Sequence, residues 1–140
     1  MISLNRFAAT LMVVAAAMTA AGCGNSEFAD LSRVTGQVTM DGQPLAGVVV
    51  SYYPASGRPV KATTDDQGQY DLVYIRDVRG AEPGQYKVEI KKEFRPKTIE
   101  ESRMKRASEI PARYNTNSTL TAEVVPGENV IDFELTSQAR

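Results

Sequence analysis

A chain of 140 residues, 42% hydrophobic and 24% charged, has the length and composition of one globular domain plus a short extra segment. Its net charge of −1 gives no long-range field to attract nucleic acid, and it lacks histidine, which excludes His-based triads, His metal sites and histidine pH switches. Its single cysteine excludes an internal disulfide and a multi-thiolate metal site.

The chain opens on a targeting segment. Arg6 is the only basic side chain of the first 22 residues, and an uncharged stretch rich in Ala, Val, Met and Leu follows it. That stretch is about 15 residues long, the size of a signal-peptide core and short of the roughly 20 that span a bilayer. Ala20, Ala21 and Gly22 lead to the lone Cys23; small residues let a peptidase grip an extended backbone. The order resembles the lipobox of bacterial lipoproteins, with Ala20 standing where that family usually has Leu. The resemblance implies a signal peptide over 1–22, cleavage between Gly22 and Cys23, and a diacylglyceryl group on the Cys23 thiol. The alternatives are a secreted protein with an unused thiol and a retained hydrophobic helix; a lone cysteine at this junction by chance would be a coincidence. Two acyl chains hold a protein on a membrane, at about 0.8 kcal/mol per buried methylene. Losing Arg6 with the leader takes the side-chain charge to −2, so the composition offers no polybasic help. Gly24 stands where an Asp marks inner-membrane retention in the best-known lipoprotein sorting systems, which leans toward an outer membrane.

Residues 23–33 read as the lipidated cysteine and a polar tether. Ten extended residues reach at most about 33–36 Å. From residue 34 to 136 the pattern is short period-two runs between turn signals, which predicts strands. "VTGQVTM" sets Val34, Gly36, Val38 and Met40 on one face, and Asp41-Gly42 turns the chain. "GVVVSYYP" and the weaker "RPVKATT" follow, then "DDQG" at 65–68, a hairpin loop with Gly68 free to turn left-handed. "QYDLVYI" comes next. "PGQYKVEI" points Tyr86, Val88 and Ile90 inward; "TLTAEV" does the same with Leu120, Ala122 and Val124; "PGEN" turns; "VIDFEL" points Ile131, Phe133 and Leu135 inward. Seven strands with turns about every ten residues predict an all-β, seven-stranded, immunoglobulin-like β-sandwich. The charged segment 92–113 interrupts the rhythm. Thr98 and Glu101 there match a capping box, so a short surface helix near 98–107 and a disordered loop are both open. Residues 137–140 are a tail.

"VTGQVTMDGQPLAGVVVSYYP", "TTDDQGQYDL" and "PGQYKVEI" together resemble the carboxypeptidase regulatory-like, or transthyretin-like, domain. More narrowly the chain is similar to small lipoproteins of planctomycete-type bacteria, through Gly36 to Gly47, Thr64 to Tyr70, Pro83 to Val88, Ile110 to Tyr114 and Gly127 to Leu135. The resemblance implies a transthyretin-like β-sandwich on the cell envelope, with no catalytic residues to carry over.

Asp65, Asp66 and Asp71 lack the alternating acidic spacing and terminal Glu of a calcium loop and read as turn residues; no metal site and no cofactor is expected. Alternation sends Tyr52, Tyr70 and Tyr86 into the core and leaves Tyr53, Tyr74 and Tyr114 as candidate ligand contacts. Glu100, Glu101 and Glu109 interrupt the basic run Arg103, Lys105 and Arg106, a mixed solvated surface. Asn117-Ser118-Thr119 matches a glycosylation pattern that is accidental in a bacterial lipoprotein. The expectation is a non-enzymatic, lipid-anchored envelope protein whose sandwich is a binding or structural module. A surface-tethered carbohydrate-binding accessory domain is the alternative. The expected partners are the membrane, through the lipid, and an envelope protein or glycan, with no nucleic acid.

Overall fold

The alternating run at 34–40 becomes the spine of one sheet. The computed structural model describes residue 28, residues 30–93 and residues 110–138. In it β1 (Arg33–Met40) turns Val34 and Val38 inward, both fully buried. The Asp41-Gly42 turn takes positive φ at both residues, 50° and 81°, and returns the chain as β2 (Gln43–Pro44), antiparallel to β1.

Next comes β3 (Val48–Pro54), whose β-branched and aromatic side chains suit a pleated, half-buried surface. It lies between β4 (Val60–Thr63) and β8 (Gly84–Lys92), and all three are antiparallel neighbours. The register sets Val50 opposite Ile90 and Tyr52 opposite Val88 on the buried face. On the outer face Tyr53 is opposite Lys87, and Ser51 is opposite Glu89, which pairs with Lys91 at 2.6 Å. The short strands β6 (Val73–Ile75) and β7 (Val78–Arg79) extend this sheet on one side, and β9 (Thr121–Val124) on the other.

The first sheet is completed around β1. On one flank run β10 (Glu128–Val130) and β11 (Phe133–Leu135), both parallel to it; on the other flank β5 (Gln69–Asp71) pairs antiparallel beside β2. The chain is thus an all-β sandwich of two sheets, as the alternation predicts. Valines, Leu72, Ile90 and Leu135 fill the core around four rings, Tyr52, Tyr70, Tyr86 and Phe133. Tyr52 lies edge-on to Tyr86 and Phe133, with centroids 5.6 and 6.3 Å away.

Seven runs appear as eleven strand segments. Two short strands, β2 and β7, are additional, and two predicted runs are cut. "QYDLVYI" divides at Leu72, which is fully buried and bridges the layers. Its N–H donates to the Val34 carbonyl and its own carbonyl accepts from Gly80. The "DDQG" turn is therefore not the hairpin expected. It closes locally through Asp65 and Gln69, but its arms part, β4 joining one sheet and β5 the other. "VIDFEL" divides at Ile131-Asp132, although the register with β1 is kept on both sides. There the Ile131 carbonyl turns toward the Tyr70 hydroxyl, and Asp132 Oδ1 takes the Gln37 amide at 2.8 Å.

The sheet also takes in the last residues read as tether. Ser32 is buried and bridges to Ala81, and Arg33 begins β1. After the charged segment, Ile110 is buried and Ala112–Tyr114 forms a single 3-10 turn. The stretch near 98–107, where the sequence leaves a short helix and a disordered loop both open, lies outside the described residues, as do Gly22, Cys23 and the basic run. No helix among the described residues is long and apolar enough to cross a membrane.

Candidate functional site

Alternation that buries Val34 and Val38 must turn Arg33, Thr35 and Gln37 to the opposite face. The register sets Thr35 across from Asp71 and Val130, and Gln37 across from Gln69. These outward residues floor a groove of about 760 Å³, within the range of small-molecule sites. Thr63 and Val73 of the other sheet form its side, and Arg79 reaches in from β7.

The groove has two electrostatic ends. At one, Arg33 Nη2 donates to Asp71 Oδ2 at 3.1 Å and Arg79 Nη1 approaches the same oxygen at 3.3 Å. At the other, Asp65 Oδ1 accepts from the amides of Gln67 and Gln69 at 2.8 and 2.9 Å, tying the turn, and Asp132 holds the Gln37 amide. Gln37 Nε2 donates to the Gln67 carbonyl at 2.8 Å, pinning the turn to β1. Gly68 sits in that turn at φ 72°, where an added Cβ would lie 2.6 Å from the Val38 carbonyl oxygen. Only glycine meets both demands.

Beneath the floor is a hydroxyl relay. Tyr70 donates to the Ile131 carbonyl at 2.6 Å, and the Tyr52 and Tyr70 hydroxyl oxygens are 2.9 Å apart. Since Tyr70 has one proton and gives it to Ile131, Tyr52 donates to Tyr70. Burial pushes the Tyr52 hydroxyl up to about 12 and drives Tyr70 above the ordinary tyrosine range.

The three candidate tyrosines do not share a platform. Tyr53 is half-buried on the outer face of β3. Tyr74 meets the Phe28 ring edge-on at 5.9 Å and donates to Glu82 Oε1 at 2.9 Å, beside the start of β1. Tyr114 lies near the opposite end of β1. There the Arg113 guanidinium stacks on its ring, 4.7 Å from the centroid, and its hydroxyl accepts the Thr136 amide at 3.2 Å. Hydrogen bonds from Thr136 and Arg113 hold the Tyr114 hydroxyl below its ordinary pKa. Arg113 also donates to the carbonyls of Thr136 and Gln138, and Asp41 Oδ1 accepts from Ser137 N–H at 3.0 Å. Ser137 holds the Asp41 carboxyl below the usual carboxylate range.

The three aspartates weighed for calcium are not gathered. Asp65 closes its turn and Asp71 is paired with arginines; no group of three metal-binding side chains occurs among the described residues. In the glycosylation-like triplet the Ser118 hydroxyl is buried and donates to the Val88 carbonyl. Sequence reasoning missed Arg33 and Arg79. Period two alone puts Arg33, Thr35 and Gln37 on one outward face, so half of the groove was readable; the approach of Arg79 depends on a fold-back through β6 and β7 that no spacing announces.

No family profile matches the chain, and no curated protein matches it. Solved structures similar to part of the chain include the following three. A DUF3823 family protein from Parabacteroides merdae is 17% identical, with a TM-score of 0.43 over 75% of this chain and 45% of that one. A DUF3823 family protein from Bacteroides ovatus is 17% identical, with a TM-score of 0.47 over 74% and 43%. The major pilin subunit of Bacillus cereus is 22% identical, with a TM-score of 0.35 over 75% and 28%. The chain spans less than half the length of each.

Proposed function

We propose that this chain is a lipid-anchored envelope protein whose β-sandwich is a non-catalytic binding module of the carboxypeptidase regulatory-like, transthyretin-like kind. The observation that carries the module reading is the ligand-sized polar groove on the outer face of β1. Its acidic groups have structural work: Asp65 ties a turn, Asp71 takes two guanidiniums and Asp132 replaces a sheet rung. Such an arrangement fixes a shape that a ligand can recognise. The anchor rests on the leader and on the placement of Cys23 after Ala20, Ala21 and Gly22.

Two measurements test this. Metabolic labelling with a fatty acid should mark the wild-type protein and not Cys23→Ala; label on both, or on neither, removes the anchor. Capture from envelope membranes should retain a protein or glycan on the wild type and lose it when the groove is altered. Retention that ignores the groove removes the module reading. The second reading, a carbohydrate-binding accessory domain, is favoured by the row Thr35, Gln37 and Gln69, whose short polar side chains suit sugar hydroxyls.

A further inference from the structure

Two cations at one end of the groove share a single carboxylate oxygen. Arg33 and Arg79 both converge on Asp71 Oδ2, while Asp71 Oδ1 is buried and, among the described residues, has no hydrogen-bond partner. A carboxylate and a guanidinium at their best use two parallel bonds, one to each oxygen. This triad does not: it carries one more positive charge than negative. Each guanidinium has five N–H donors, and the Arg33 and Arg79 side chains are 57% and 56% exposed at the groove. Their spare donors are placed to receive a second, incoming carboxylate.

The rest of the groove has a different chemistry. Past the arginines, the floor is Thr35, Gln37 and Gln69, neutral groups that both donate and accept. Gln37 commits one of its two side-chain N–H donors to the Gln67 carbonyl and keeps its oxygen as an acceptor. At the far end Asp65 and Asp132 would repel a second negative charge. A suitable ligand is therefore anionic at one end and hydroxylated along its length.

We propose that the groove binds an acidic saccharide, seating the carboxylate of a uronic-acid residue on Arg33 and Arg79 and its hydroxyls along Thr35, Gln37 and Gln69. This rests on the reading of the sandwich as a binding module and names the ligand class. The arginine pair at its end of the groove selects one acid group, and the neutral row selects a sugar over an acidic peptide.

The test is calorimetric titration of the full chain in detergent with three probes: a disaccharide of one uronic acid and one neutral sugar, its methyl ester, and a short peptide with a single glutamate as its one free carboxylate. The expected result is binding of the free acid that weakens with added salt, with neither other probe matching it. Arg33→Gln and Arg79→Gln should each weaken binding roughly tenfold, the scale of losing a hydrogen bond between charged groups. Lys61→Gln, which removes a cation outside the groove, should leave binding unchanged. Melting curves show that each variant remains folded. Equal binding of the methyl ester overturns the role of the arginines, and equal binding of the peptide overturns the saccharide. No binding by any probe overturns the proposal. The module reading then stands or falls on envelope capture, a separate measurement.

Discussion

At Gly36 a hydrogen atom stands where any other residue would place a carbon 1.8 Å from the Ile131 carbonyl oxygen. The neighbour is backbone and cannot swing away. That carbonyl points inward because Tyr70 bonds it, and it can do so because Gly36 leaves the space. Gly36→Ala should therefore destabilise the fold by about 1–3 kcal/mol or more, the cost of overpacking a filled site, read as a lower urea midpoint. Tyr52→Phe removes one buried hydroxyl but leaves Tyr70 bonded to Ile131, and should cost about 1 kcal/mol. The same tyrosines set an alkaline limit. A hydroxyl whose pKa is raised by folding contributes fully below the unfolded value near 10, and its contribution is lost as pH rises toward the folded value, about 12 for Tyr52. Melting temperature should fall steadily between those values, and less steeply in Tyr52→Phe. A flat profile would contradict the buried relay.

Single side chains also join whole elements. Asn129 is buried in the middle of β10, just after the turn that passes from β9 in one sheet to β10 in the other. Its Oδ1 takes the Val125 amide at 2.9 Å, and its Nδ2 donates to the Val125 carbonyl at 2.9 Å and to the Arg33 carbonyl at 3.3 Å. Asn129→Ala should cost about 1–3 kcal/mol by leaving buried backbone groups unmet, measured by denaturant unfolding. Arg113 does similar work at the other end of β1, clamping residues 136–138. In Arg113→Ala the amides of Thr136 and Ser137 should lose hydrogen-exchange protection while those of β3 and β8 keep theirs. These contacts show which parts of the fold could be read in advance. Period two reports whether a side chain faces in or out, so Val34, Val38, Val88, Ile90 and Val124 were legible as core. It does not report the partner strand. Tyr70 and Leu72 both stay buried while the chain changes sheets, and nothing local distinguishes that from one continuous strand. The Arg79 side of the groove was illegible for the same reason, since Arg79 meets Asp71 only after the chain folds back.

At the scale of the molecule, the motifs that suggested a transthyretin-like domain turn out to mark joints. Thr64 accepts the Val48 amide at 3.1 Å and donates to the Leu45 carbonyl at 2.7 Å; Asp65 closes the turn, and Tyr70 crosses the core. Gly36, Arg113 and Asn129 likewise belong to the motif stretches and hold one segment to another. Phe28 and Ser32 extend this logic toward the N-terminus. Phe28 rests on Tyr74, and Ser32 is bridged to Ala81, so the sandwich begins gripping the chain well before β1. Only five Cα steps separate Cys23 from Phe28, which can extend at most about 18 Å. With a lipid on Cys23, the leash would be half as long as the polar stretch suggested. The edge carrying Tyr74 and Glu82 would be held down near the headgroups, and the mouth of the groove beside Arg33 would open low over the membrane, scanning what lies along the surface rather than what passes above it.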